Sequence, residues 1–121
     1  MAKVLIVDDS PAQVFSLQQL VEEWGHETLT AENGDQALQI AREELPNVIL
    51  MDVVMPGMNG FQAARQLSRD QATRDIPVIF VSIKDDEADR VWGMRQGATA
   101  YITKPVNPDT LYSAITEAVA A

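Results

Sequence analysis

Apolar positions along the chain alternate between two patterns. Short unbroken runs recur at Lys3–Val7 (KVLIV), Val48–Met51 (VILM) and Val78–Val81 (VIFV), with a weaker strand pattern at Glu27–Ala31 and a fifth run at Ala100–Thr103. Between these runs, apolar residues recur at spacings of three and four, the period of a helix with one buried face. Val14, Leu17, Val21 and Trp24 form the first such face. Ala37, Leu38, Ala41 and Leu45 form the second, a stretch around Phe61–Leu67 the third, and Leu111, Ala114, Ile115 and Ala118 the last. A charged stretch from about Asp85 to Gln96 supplies the fourth helix.

The punctuation fits. Ser10-Pro11 and Asn107-Pro108 each place a capping side chain before a proline suited to the first helical position. Gln13 would complete a capping box with Ser10. Asn33 caps the second helix; Gly25, Pro46 and Gly97 close the first, second and fourth. The result is five β-then-α units. Strands apolar on both faces belong in a parallel sheet covered on each side, and right-handed crossovers distribute the helices over both faces. The predicted fold is a doubly wound five-stranded α/β domain spanning residues 1–121. In such open sheets, ligands bind beyond the carboxyl ends of the strands.

Composition narrows the functional classes. A chain of 121 residues, 46% apolar and 22% charged, suits one core. With no cysteine, disulfides, thiolate metal sites and cysteine nucleophiles are excluded. The net charge of −9 disfavours binding to DNA or to an anionic membrane. The apolar run at Val4–Val7 is too short for a signal-peptide core or a membrane span, so a cytoplasmic protein is expected.

The chemistry sits at the strand ends. Asp8 and Asp9 follow the first strand, Asp52 the third, Ser82 the fourth and Lys104 the fifth, so the topology gathers all five at one edge. Three neighbouring carboxylates repel one another unless a cation joins them. An all-oxygen donor set without His or Cys suits a hard ion, and Mg²⁺ retaining several waters is the best match. Carboxylates, a hard cation, a lysine and a hydroxyl together suit phosphoryl transfer, with Asp52 as nucleophile forming an acyl phosphate.

These motifs, VDDS, LMDVVMPGMNG, VIFVS and AYITKP, resemble those of the CheY-like receiver domains of bacterial two-component response regulators. The resemblance extends over essentially the whole chain. The stretch DRVWGMRQGA and the short C-terminus are most similar to PilH-type regulators of type IV pilus twitching motility, and the lack of an output domain in the sequence suggests a stand-alone regulator. The resemblance implies strand order 2-1-3-4-5, direct Mg²⁺ ligation by Asp9, Asp52 and the Val54 backbone oxygen, and help from Asp8 mainly through water. It further implies that Asp52 takes the phosphoryl group from a histidine kinase and that Lys104 and Ser82 meet phosphoryl oxygens. Tyr101 then changes rotamer, and the surface of the fourth helix, fifth strand and fifth helix is remodelled for a downstream partner. A phosphatase is a further implied partner, and the Lys104–Pro105 peptide is expected to be cis. Ile83 departs from the small residue usual after the switch hydroxyl and would crowd access to Asp52. An apolar Val54 cannot orient an attacking water, so the acyl phosphate should be long-lived.

Other readings stay open at this level. Asp8-Asp9 could be a turn and cap pair, Lys104 a surface lysine, Ser82 a strand-end hydroxyl and Tyr101 a half-buried strand residue. His26 falls in a turn without a catalytic role, Trp24 reads as core, and Trp92 as a partly exposed residue available to partners. Three rival functions remain: an aspartyl-phosphate phosphatase, a flavin or nucleotide binder, and a pseudo-receiver that docks partners without phosphorylation. The phosphatase would want a second aspartate two residues after its nucleophile. The binder would want a Gly- or Ser/Thr-rich anion loop where VDDSPA places negative charge.

Overall fold

A computed structural model describes residues 2–120. The strands are β1 (Lys3–Val7), β2 (Glu27–Ala31), β3 (Val48–Met51), β4 (Val78–Ser82) and β5 (Ala100–Thr103). The helices are α1 (Pro11–Glu23), α2 (Gly34–Glu44), α3 (Gly60–Arg69), α4 (Glu87–Arg95) and α5 (Pro108–Ala120). All strand pairs are parallel, in the order β2-β1-β3-β4-β5. Among the described residues no helix is long and apolar enough to cross a membrane.

The sheet separates two buried clusters. On one face Leu5, Val7, Ile49, Met51 and Phe80 pack with Ala37 and Ala41 of α2 and with Phe61, Ala64 and Leu67 of α3. On the other, Val4, Ile6, Leu50, Ile79 and Val81 pack with Leu17 and Val21 of α1 and with Leu111 and Ile115 of α5. Odd and even positions of β1 and β3 thus enter different clusters, which is why both strands read as unbroken apolar runs. Each such side chain contributes about 1.5–3 kcal/mol on burial. Helix α4 is the exception, since only Gly93 is buried within it.

The structure corrects several local expectations. Leu45 is not on the inner face of α2: it is exposed and forms the helix C-cap at φ 48°, a left-handed conformation imposed where the chain turns into Pro46. The Ser10–Gln13 capping box is only half made. Ser10 Oγ accepts from Gln13 N, but Ser10 N donates to Asp8 Oδ1 at 2.9 Å instead of to the Gln13 side chain. A complete box appears at α3, between Asn59 and Gln62. Trp24 is half-buried, its ring edge-on to Tyr112 at 5.2 Å. β4 extends one residue further, to Ser82, and α4 begins at Glu87, after Asp86 as N-cap.

Candidate functional site

Backbone hydrogen bonds carry the strand ladder one step past the ends of β1 and β3. Asp8 N donates to Ala31 O at 3.1 Å, and Asp52 N to Val7 O at 2.9 Å. Val7 lies level with Met51, and Ser82 with Thr103; Lys104 N donates to Ser82 O at 2.8 Å. The residue after each strand is therefore fixed by the sheet, and this aligns Asp8, Asp52 and Lys104 with Ser82 at one edge.

There, carboxylate oxygens of Asp8, Asp9 and Asp52 lie within 4.8 Å of one another. Asp8 and Asp52 are buried, and Asp9 is exposed. Lys104 Nζ is 2.9 Å from Asp8 Oδ2 and 3.9 Å from Asp52 Oδ2, so the ammonium is paired mainly with Asp8. Asp8 Oδ1 accepts from Ser10 N, and Asp52 Oδ1 from Val54 N at 3.4 Å. One lysine faces three carboxylates, leaving a local excess of negative charge. An all-oxygen pocket with that excess fits a small hard divalent cation.

Burial pushes the Asp52 carboxyl above its ordinary range. Lys104 opposes this, the Asp8 charge adds to it, and the Val54 and Val53 amides oppose it. A carboxyl raised on folding binds its proton more tightly in the native state. Its contribution to stability is therefore greatest below the unfolded value of 3.8 and is lost as pH rises through the raised native value. At neutral pH the ionised group is a net cost. Asp52→Asn, in chelator at pH 7, should raise the thermal midpoint by about 3–5 °C, the shift that about 1 kcal/mol gives in a domain of this size. Differential scanning calorimetry of the two proteins reads this directly, and an unchanged or lower midpoint would contradict it.

Ser82 is fully buried, and its Oγ accepts from Lys84 N at 3.2 Å. Tyr101 is half-buried: its hydroxyl donates to Lys84 O at 2.7 Å, and its ring lies 5.9 Å from that of Phe80. Burial raises the phenol, with the Ser82 hydroxyl acting against it. Val54 is exposed on the loop after Asp52. Ile83 is 68% exposed and lines a shallow depression with Gln13, Leu17, Lys104 and Pro105. The Lys104–Pro105 peptide is cis, as the resemblance implied.

Residues outside the site behave as follows. His26 Nδ1 accepts from Ala2 N at 3.1 Å. Trp92 is half-exposed, with the Arg65 guanidinium 5.7 Å from its ring. Met51 and Met55 are buried, and Met94 is exposed.

One contributor, Gly60, was not singled out in the sequence. A Cβ on Gly60 would lie 2.1 Å from the Asp52 carbonyl oxygen and 2.9 Å from Val53 Cα, and Gly60 N donates to Val53 O at 2.9 Å. The first turn of α3 is thus seated on the backbone that carries Asp52. The Asn59–Gln62 capping pair was the available signal, because it makes Gly60 the first residue of a helix.

Comparison with known proteins places the chain in a family and a fold. Residues 4–116 match the family model described as the response regulator receiver domain. The chain is 54% identical over 120 residues to protein PilH of Pseudomonas aeruginosa, covering 99% of each. The signal receiver domain of a signal transduction histidine kinase from Syntrophus aciditrophicus matches with a TM-score of 0.91 and 35% identity over 99% of this chain and 91% of that one. Chemotaxis protein CheY4 of Vibrio cholerae matches with a TM-score of 0.90 and 31% identity, covering 98% of both chains.

Proposed function

The chain belongs to the response regulator receiver domain family, and we propose that within it residues 1–121 act as one receiver domain, a phosphorylation switch whose acceptor is Asp52. The observation that carries this reading is the cluster of three carboxylates within 4.8 Å, backed by the Lys104 ammonium.

Asp9, Asp52 and the Val54 backbone oxygen would hold Mg²⁺, with Asp8 contributing mainly through water. Bound there, the ion would neutralise the carboxylates and the incoming phosphoryl oxygens. An Asp52 carboxylate oxygen attacks the phosphorus of a kinase phosphohistidine. The N–P bond breaks as the O–P bond forms, the imidazole leaves, and an acyl phosphate remains. Lys104, already poised between Asp8 and Asp52, pairs with a phosphoryl oxygen. Ser82 exchanges its bond from Lys84 N for one donated to another phosphoryl oxygen, drawing the loop after β4 inward. Tyr101, tied to that same loop through Lys84 O, follows. The face formed by α4, β5 and α5 then changes toward a downstream protein partner. Phosphorylation can bias these states only through such differential contacts. Val54 offers no group to orient an attacking water, which favours a persistent acyl phosphate removed by a phosphatase.

This is phosphoacceptor signalling by a chain that catalyses only its own phosphotransfer and dephosphorylation. The identity with PilH supports a place in chemotaxis-like signalling to type IV pilus motility. A phosphorylation-independent docking module is the alternative. Calorimetric titration with MgCl₂ separates the two: one ion should bind per chain, with the binding lost in Asp9→Asn and in Asp52→Asn. Absence of binding by the parent protein would favour the docking module.

A further inference from the structure

Arg90 makes contacts that the phosphorylation chemistry leaves unexplained. It lies on α4, the helix least held by burial, in which only Gly93 is buried. Its guanidinium carbon is 5.5 Å from the Tyr101 ring centroid. Nη1 donates to Tyr101 O at 3.4 Å, and Nη2 donates to Thr103 Oγ1. Among the described residues it forms no ion pair, in a chain with 18 acidic side chains. One side chain of α4 thus grips the ring and backbone of Tyr101 and the residue next to Lys104.

Tyr101 is enclosed elsewhere as well. At Gly93 even a Cβ would come within 2.9 Å of Tyr101 Cδ2 and 3.1 Å of Phe80 Cδ2. The Phe80 ring lies tilted beside it, and the hydroxyl is tied to Lys84 O. With so little buried surface under α4, the guanidinium contacts join the close approach of Gly93 in holding this helix against β5.

We propose that Arg90 is a positioning residue that latches α4 to Tyr101 and β5, and so determines how strongly a change at Asp52 reaches the exposed α4 side chains Val91, Trp92 and Met94. The latch rests on the switch reading for its purpose, but its contacts belong to the protein without a phosphoryl group. When Tyr101 leaves its place, the guanidinium loses the ring and its grip on β5 is weakened, and α4 is freed. Without Arg90, α4 and Tyr101 should sample the freed arrangement before any phosphoryl group arrives.

The chain has two tyrosines, so 3-fluorotyrosine incorporated into a Tyr112→Phe background reports on Tyr101 alone by ¹⁹F NMR. Spectra would be recorded with and without Mg²⁺ plus beryllium fluoride, a phosphoryl mimic, alongside hydrogen exchange of the α4 amides. In Arg90→Ala without the mimic, the Tyr101 resonance should shift toward the position that the mimic produces in the parent, and α4 amides should exchange about tenfold faster. Arg90→Lys keeps the charge but not the two-pronged donor, and should fall between the parent and Arg90→Ala. Faster exchange with an unmoved Tyr101 resonance would reduce Arg90 to a structural contact and overturn the proposal, as would no change in either readout. A parent that ignores the mimic while Arg90→Ala still displaces Tyr101 and loosens α4 would refute the phosphorylation reading and leave the latch standing.

Discussion

Gly60→Ala should lower the unfolding free energy by about 3 kcal/mol, at or beyond the upper end of ordinary overpacking. The new methyl would sit 2.1 Å from the Asp52 carbonyl oxygen and 2.9 Å from both the Asp52 carbonyl carbon and Val53 Cα. All three are backbone atoms, so no rotamer change relieves the clash. Ala is favoured over Gly inside a helix by about 1 kcal/mol, which is too little to offset it. The relief available is to move α3 away from β3, at the expense of the Gly60 N to Val53 O bond and the packing of Phe61 and Leu67. Against a typical total of 5–15 kcal/mol, such a loss is large. Gly34→Ala is the control. Its methyl would meet only the Met58 side chain, at 2.9–3.1 Å, and that flexible chain can give way, so the cost should stay below about 1 kcal/mol. Urea unfolding of the three proteins reads the difference. Equal losses at the two glycines would show that the close approach at Asp52 is not what constrains position 60.

Lys104→Met should cost about 3 kcal/mol in Mg²⁺-free buffer at pH 8, because it leaves Asp8 and Asp52 buried with no cation between them. The ammonium is itself largely buried, 2.9 Å from Asp8 and 3.9 Å from Asp52, and Met keeps most of the volume, so the lost term is charge. Two conditions should recover part of the loss. Lowering the pH toward 5 lets Asp52, whose proton affinity burial already raises, take up a proton. Stability of the variant relative to the parent should therefore fall as pH rises. Added Mg²⁺ supplies the missing positive charge and should stabilise the variant more than the parent, by mass action on a site of greater charge excess. Urea midpoints at the two pH values, each with and without Mg²⁺, test both trends. A loss independent of pH and of Mg²⁺ would mean that Lys104 acts through packing alone.

The fold was legible because its information is local and repeated. Four of the five strands have the same ends in the structure as in the apolar pattern, and β4 gains only Ser82. In KVLIV and VILM the signal was a short, β-branched-rich apolar run buried on both faces and bounded by polar or turn residues. Strand order was not contained in periodicity and came from family resemblance. The meeting of Asp8, Asp9, Asp52 and Lys104 was legible because Asp8, Asp52 and Lys104 each follow a strand directly, with Asp9 one residue further, and a parallel sheet sends all such positions to one edge. Four features were not readable. Leu45 fits the helical spacing, but the turn into Pro46 takes it out of the helix. Ser10 N turns to Asp8 because that carboxylate is two residues away and the Gln13 side chain is not needed. The pressure of Gly60 on Asp52 joins α3 to the backbone after β3, and nothing in the local pattern records that distance. The Arg90 contacts with Tyr101 and Thr103 span 11 and 13 residues of chain and depend on how α4 lies on β5.

The central claim is that negative side chains are gathered at this sheet edge to accept a covalent phosphoryl group at one position. The most direct measurement is intact mass after incubation with acetyl phosphate and Mg²⁺, with Asp52→Asn and a chelator-treated sample beside the parent. The account predicts a gain of one phosphoryl group in the parent, removable by hydroxylamine as an acyl phosphate should be, and no gain in either control. An unmodified parent, or an equal gain in Asp52→Asn, would contradict it.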